Sequence, residues 1–250
     1  MSFASKVVIV TGASSGIGAA TAIGFAKEGA NVVLVGRNQE KLQNVLKQCD
    51  ENGNDHLAVI ADVSKEEDAK RIISNTIDKF GKIDVLINNA GIVRFASILD
   101  AKAMEVFDSI MNTNLRATMY VTHLAAPHLI ETKGNIVNIS SVAGTSLPMP
   151  AVTSYAVSKA AVNHFTRGVA GELASHGVRV NTVSPGPVKT DIMENANLEV
   201  PIDLSAFPTP LGRVSESTEI ADLILFVASD KAKAITGSDY VSDNGLNVKF

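Results

Sequence analysis

The stretch that decides the fold is Lys6-Val7-Val8-Ile9-Val10-Thr11-Gly12-Ala13-Ser14-Ser15-Gly16-Ile17-Gly18. Lys6 to Val10 is a short β-branched run bounded by glycine, the pattern of a strand buried on both faces of a parallel sheet. Ile17, Ala20, Thr21, Gly24 and Phe25 then recur at helical spacing, so the order is strand, glycine turn, helix. Glycines let the backbone approach a pyrophosphate closely, and the helix N-terminus offers unpaired N–H groups and a partial positive charge. Gly12, Gly16 and Gly18 follow Gly-x-x-x-Gly-x-Gly rather than the common GxGxxG, so the generic fingerprint is only partly met and the lesser alternative is a glycine turn that binds nothing.

Working outward, Asn31 to Val35 forms the second strand, ending in Gly36-Arg37. An NAD site usually places a carboxylate there, about 20 residues past the glycines, to hold the adenine ribose. A guanidinium suits a 2′-phosphate in a forked geometry. Arg37 therefore favours NADP(H), with NAD(H) the lesser possibility; the plain alternative is a solvated loop residue. A helix with Leu42, Val45, Leu46 and Cys49 on one face ends near Gly53, and Leu57 to Ala61 is the third strand. Asp62-Val63 marks its carboxyl end, where Asp62 either accepts a hydrogen bond from an adenine or caps the next turn. Ser64-Lys65-Glu66-Glu67 has the form of a capping box for a helix running to Gly81. Val85 to Ile87 is the fourth strand, entering Asn88-Asn89-Ala90-Gly91. Successive βα units imply right-handed crossovers, hence an α/β parallel sheet covered by helices on both faces.

In the second half, Ala101 to about Ile130 is helical with a break expected near Pro127, and Asn112 and Asn114 stand in mid-pattern, where asparagine competes for backbone bonds. Asn135 to Ile139 is the fifth strand, delivering Ser140-Ser141 to the carboxyl edge. A helix from about Ser154 to Ser175 carries Tyr155 and Lys159 at i and i+4, on one face. An ammonium beside a phenol favours phenolate. Lowering a tyrosine pKa from about 10 to about 7 requires roughly 4 kcal/mol, and one charge about 4 Å away at an effective dielectric of about 20 supplies roughly that. Burial opposes it, and the plain alternative is a solvated helix pair. Val178 to Val183 is the sixth strand, followed by Pro185-Gly186-Pro187-Val188-Lys189-Thr190. Residues 191–214 lack a clean period, which points to a substrate loop or lid; a helix through Ile220 and a short strand at Asp239 to Val241 close the chain.

With 250 residues, 46% of them hydrophobic, the chain is expected to form a single domain over residues 1–250. A net charge of -4 and a pI near 5.7 give no electrostatic reason to bind nucleic acid or an anionic membrane. Cys49 is the sole cysteine, so no intrachain disulfide forms, and no Cys/His cluster has metal-ligand spacing. His123 and His128 are expected to be structural or solvated. No leader segment and no apolar run of about 18 residues is apparent, so no membrane span and a cytoplasmic location are expected.

Thr11-Gly12-x-x-x-Gly16-x-Gly18, Asn88-Asn89-Ala90-Gly91, Asn114, Ser141, Tyr155-x-x-x-Lys159 and Pro185-Gly186 occur in one order from about Lys6 to Gly245. Together they resemble the short-chain dehydrogenase/reductase family. The resemblance implies a doubly wound, Rossmann-like parallel sheet of seven strands in the order 3-2-1-4-5-6-7. It implies that Tyr155 is the general acid in ketone reduction, that Lys159 lowers its pKa and holds the nicotinamide ribose, and that Ser141 binds the substrate oxygen. Asn114 would anchor a water linking Lys159 to solvent. Gly12, Ser14, Ser15, Gly16, Ile17 and Gly18 would cradle the pyrophosphate, Asp62, Val63, Asn89, Ala90 and Gly91 flank the adenosine, and Pro185, Gly186, Val188 and Thr190 hold the nicotinamide beside Tyr155 and Lys159.

The sequence also departs from the family pattern. Ser141 precedes Tyr155 by 14 residues, slightly wider than the family's usual spacing, so a one-residue bulge is expected and Ser140 becomes a competitor for its role. Asp243-Asn244-Gly245 stands where the family often has Asp-Gly-Gly. Val93, Phe95, Ala143, Leu147, Met149, Val152, Ile192, Met193 and Phe207 are expected to form an apolar pocket. The expected activity is NADP(H)-dependent interconversion of an alcohol and a lipophilic ketone or aldehyde, steroid-like, isoprenoid or 3-oxoacyl, by a homotetramer or homodimer. The alternatives are a catalytically silent cofactor-binding regulator of the same fold and a Rossmann methyltransferase, which has no use for Tyr155 and Lys159.

Overall fold

The structure, a computed structural model, describes residues 2–51, 53–147, 149–192 and 208–248. Among these, β1 (Val7–Thr11), β2 (Asn31–Gly36), β3 (Leu57–Ile60), β4 (Val85–Asn88), β5 (Asn135–Ile139), β6 (Arg179–Pro185) and β7 (Asp239–Ser242) form a parallel sheet. Their order is β3-β2-β1-β4-β5-β6-β7. The helices are α1 (Gly16–Lys27), α2 (Gln39–Asp50), α3 (Glu66–Phe80), α4 (Ala103–Met111), α5 (Ala117–Thr132), α6 (Thr153–Leu173) and α7 (Ser217–Ala228).

The continuous apolar runs are explained by the two cores they serve. Val8 and Val10 of β1 pack with Leu34, Phe25 and Ile224 on one face, while Val7 and Ile9 pack with Val33, Ile72, Leu86 and Leu129 on the other. Alternation is invisible in the sequence because both faces are dry. On the first face α1 lies against α7, where a Cβ added at Gly24 would meet Leu225 at 3.3 Å. Cys49 is core, its thiol pushed up to about 12 by burial, so it is inert as a nucleophile.

Two local expectations are corrected. Ser64 does not cap α3: its hydroxyl donates to Asp62 Oδ1 at 2.7 Å, Lys65 is the N-cap, and Asp68 reaches back to accept from the Asp62 N–H at 2.8 Å. A nearby carboxylate outcompetes the helix for that hydroxyl. The long helical region is not broken at Pro127, which lies inside α5; it departs from α geometry at Asn112–Arg116, a π-helical turn. Such turns mark places where a side chain is diverted from regular packing, and the diverted side chain is Asn114.

At the opposite, amino edge, buried Asp84 accepts from the Val7 N–H at 2.8 Å and pairs with Lys6 and Lys82 at 3.0 and 2.9 Å. Burial pushes its pKa up, but the Val7 N–H and the two ammonium groups outweigh burial and hold it below the ordinary value. The folded pKa is depressed, so this stabilisation is present above the unfolded value near pH 4 and is lost as pH falls through the folded value. Asp84→Asn is therefore expected to cost about 1–3 kcal/mol at pH 7 and little at a pH below the folded value. Urea unfolding at both pH values checks this; an equal cost at both refutes it.

Candidate active site

Both candidate site cavities open at the carboxyl edge of the sheet. The first, about 200 Å³, is lined by Gly12, Ser14, Ser15, Gly16 and Ile17 on one side. Gly36, Arg37, Asp62, Val63, Asn89, Ala90, Gly91 and Thr190 contribute to the remaining wall. The turn is glycine by necessity. Gly12 and Gly16 have φ of +67° and +55°, and a Cβ on Gly18 would lie 2.2 Å from the Gly12 carbonyl oxygen. Thr11, which the sequence reading left as part of the motif string, is a hub: its hydroxyl donates to the Ile87 carbonyl and accepts from the N–H groups of Asn89 and Ala90.

Asn89 donates its carboxamide N–H groups to the carbonyls of Thr11 and Gly12 at 2.9 and 3.2 Å. Its side chain is therefore a strut for the glycine turn rather than a free group facing the adenosine end. Asp62 has one carboxylate oxygen engaged by the backbone N–H and hydroxyl of Ser64, and Arg37 is exposed at the rim of the cavity. A cleft walled by glycines that a Cβ would fill, floored by the N-terminus of α1 and carrying a guanidinium on its rim, fits the phosphates of a dinucleotide.

The second cavity, about 180 Å³, adjoins the first and shares Ile17, Asn89, Gly91, Thr190 and Ile192 with it. It is lined by Ser141, Tyr155, Lys159, Pro185, Gly186 and Val188 together with apolar side chains. The Ser141 hydroxyl, which accepts from the Ala143 N–H at 3.1 Å, faces the Tyr155 phenol closely enough to pull its pKa down. Ser140, the competitor, is buried with its hydroxyl donating to the Lys159 carbonyl at 3.0 Å, so Ser141 is the serine that meets the tyrosine. The wider spacing is taken up by a 3-10 turn at Val142–Gly144. That turn abuts α6 closely: a Cβ at Gly144 would lie 3.0 Å from the Lys159 carbonyl carbon.

Lys159 is buried, donates from Nζ to the Ile139 carbonyl at 2.8 Å, and lies over the Tyr155 ring with Nζ 5.7 Å from its centroid. Burial lowers its pKa to about 8. Tyr155 is raised by burial, with the Ser141 hydroxyl pulling it back only in part. The Lys159 ammonium is anchored on a carbonyl, and desolvation is the largest influence on both side chains.

The side chain of Asn114, buried in the π-helical turn, is fully engaged. Its carboxamide accepts from the Ile92 N–H at 2.8 Å and donates to the Ile92 carbonyl and to Ser158 Oγ at 2.9 and 3.1 Å. The side chain clamps the segment after β4 onto α6. Ser158, unnoticed in the sequence, completes the clamp by donating to the Tyr155 carbonyl at 2.7 Å.

Of the expected apolar lining, Val93, Phe95, Ala143, Met149, Val152 and Ile192 are in place. Leu147 is not among them; it is 68% exposed, turned out by the loop that follows the 3-10 turn. Of the expected substrate loop, residues 193–207, including Met193 and Phe207, lie outside the described residues. Leu246 completes the wall from the carboxyl-terminal segment, a contribution no local pattern announces. His123 is exposed and His128 partly so. Among the described residues there is no cluster of potential metal ligands and no helix long and apolar enough to cross a membrane.

Comparison with known proteins agrees with this geometry. The family model for short chain dehydrogenase matches residues 6–201. The chain is 38% identical over 242 residues to the 3-oxoacyl-[acyl-carrier-protein] reductase FabG of Thermotoga maritima, covering 96% of this chain and 97% of that one. It is 39% identical over 251 residues to the glucose 1-dehydrogenase of Gluconobacter oxydans, covering 98% and 93%. Among solved structures, a short chain dehydrogenase from Burkholderia cenocepacia in complex with NADP superposes with a TM-score of 0.91 at 31% identity, covering 99% of this chain and all (100%) of that one. Fold, motif order and these likenesses converge: the chain belongs to the short-chain dehydrogenase/reductase family of oxidoreductases.

Proposed function

We propose that this chain, acting as one cofactor-binding and catalytic domain, is an NADP(H)-dependent oxidoreductase that interconverts a lipophilic ketone or aldehyde and its alcohol. The observation that carries the reading is the meeting of Ser141, Tyr155 and buried Lys159 in one cavity that opens into the glycine-walled cleft. Hydride chemistry is what a bound nicotinamide supplies. Tyr155 gives its phenol proton to the carbonyl oxygen in reduction and receives it back in oxidation. Its pKa, raised by burial, keeps it protonated at neutral pH, as an acid must be. Ser141 donates to the same oxygen as charge develops there. Lys159, with its pKa near 8, exchanges protons near neutrality and binds the ribose hydroxyls. Asn114 and Ser158 keep the Ile92 segment and α6 in register with these groups.

The apolar lining of Val93, Phe95, Met149, Val152 and Leu246 supports a lipophilic substrate, steroid-like, isoprenoid or 3-oxoacyl. The name of the Thermotoga relative supports the last of these. Arg37 on the rim supports NADP(H) over NAD(H), as does the NADP held by the Burkholderia structure. Exposed Leu99, Met104 and Met119 on and before α4 and α5 support assembly into a homotetramer or homodimer, and a cytoplasmic setting belongs to the same reading.

The test is NADPH consumption over steroids, isoprenoid aldehydes, diketones and acyl thioesters; turnover of none overturns the catalytic reading. Arg37→Asp is expected to shift the NADPH-to-NADH ratio of kcat/KM by about tenfold or more toward NADH, since it exchanges a charge-assisted bond for repulsion. An unchanged ratio removes Arg37 from cofactor choice.

A further inference from the structure

An ion pair crosses the mouth of the cofactor cleft. Lys41, in the first turn of α2 and four residues past Arg37, donates from Nζ to Asp191 Oδ2 at 2.5 Å. Asp191 belongs to the opposite rim, after β6, and lines the cleft itself. Its neighbour Thr190 rests on the glycine turn: a Cβ at Gly16 would lie 2.9 Å from Thr190 Cγ2. The pair therefore joins the adenosine rim to the nicotinamide rim above the turn that is shaped for phosphates.

The charges here are unusual for such a cleft. Thr11 to Gly18 contains no lysine or arginine, so the turn itself offers only N–H groups and the helix end. A carboxylate at its mouth repels an incoming polyanion unless a cation neutralises it. Lys41 does so, but both side chains are substantially exposed, at 50% and 30%, and exposed ion pairs are worth little. A pyrophosphate brings more negative charge than one carboxylate, and it arrives where N–H groups already hold it in place. Arg37, Arg94 and Asp62 are the other charged groups on the wall of the cleft; Asp62 has an oxygen engaged by Ser64, and Arg94 donates to the Val93 carbonyl.

We propose that Lys41 is a cofactor-phosphate ligand held in reserve by Asp191, which exchanges Asp191 for the phosphates when the dinucleotide binds. Lys41 then adds to cofactor affinity while Asp191 opposes it, as a competing anion that occupies the lysine beforehand. The inference rests on the dinucleotide reading of the cleft but not on the choice between NADPH and NADH, since both carry a pyrophosphate.

Its test is the Kd of NADPH and of NADH, read from cofactor fluorescence, for the wild type, Lys41→Met and Asp191→Asn. Lys41→Met is expected to weaken both cofactors by about tenfold, the scale of one hydrogen bond to a charged group. Asp191→Asn is expected to tighten both by about threefold, within the range of a lost exposed ion pair. The opposite sign is the sharp outcome: if Asp191→Asn weakens binding or leaves it unchanged, the pair is only a brace for the site and the proposal fails. It fails also if Lys41→Met binds like the wild type. A wild type that prefers NADH, with Asp191→Asn still tightening, overturns the role of Arg37 and supports that of Lys41; a wild type that binds neither cofactor overturns both.

Discussion

Tyr155→Phe is expected to lower kcat for carbonyl reduction by about 10³-fold, within the 10²–10⁴ that a positioned general acid contributes, while the Kd for NADPH changes by less than about threefold. The argument is local. The substitution removes one oxygen and keeps the ring that lies under the Lys159 ammonium, so the shape of the cavity and its cation–π contact persist. What disappears is the phenol oxygen that faces Ser141, with its proton. No other titratable side chain that lines the cavity replaces it: the Lys159 ammonium lies over the face of the ring and donates to the Ile139 carbonyl, away from the position of the phenol oxygen, and Ser141 is too weak an acid to work alone. Steady-state kinetics with NADPH titration separates the two quantities. Residual activity above about a tenth of the wild type is inconsistent with general acid catalysis by Tyr155.

Gly18→Ala is expected to abolish cofactor binding at ordinary concentrations, with Kd for NADPH raised by about a hundredfold. The added methyl would sit 2.2 Å from the Gly12 carbonyl oxygen and 2.5 Å from Asn89 Nδ2. The first obstacle is backbone and cannot step aside; the second is the strut that also bonds the Thr11 carbonyl. Relief requires α1 to back away from the turn or Asn89 to let it go, and either one opens the cradle. Overpacking of this kind costs about 1–3 kcal/mol, so the melting temperature falls by several degrees while the greater part of the fold survives. Calorimetric titration with NADPH beside thermal unfolding reads both; binding within about threefold of the wild type shows that the approach of α1 to the turn does not set the site.

The elements were legible because the physics that forms them is local. β1 and β2 are apolar over nearly their whole length since each is buried on both faces, and α3 announces itself through Ala69, Ile72, Ile73 and Thr76 at one face. The succession of βα units then implied a parallel sheet with right-handed crossovers, and the strand order, which the family resemblance implied, is the one observed. The misses have one cause in common. Ser64 was taken for a cap because the pattern of four residues fits, but a carboxylate two residues earlier, on a turn whose shape the pattern does not carry, takes its hydroxyl.

By itself the sequence determined the parallel α/β sheet, the glycine turn after β1, and the placing of Ser141, Tyr155 and Lys159 on neighbouring elements at one edge. Only the tertiary structure decided what those groups do to one another. It turned Asn89 into a strut, committed Asn114 to Ile92, sent Leu147 to solvent, brought Leu246 into the wall and set Lys41 against Asp191, 150 residues away. It also brought Tyr155 and Lys159 together in a site whose desolvation acts on both. Periodicity and turn chemistry act over a few residues and can be read along a chain; desolvation, charge pairing and the competition for a hydrogen bond depend on distances that exist only once the chain has closed on itself.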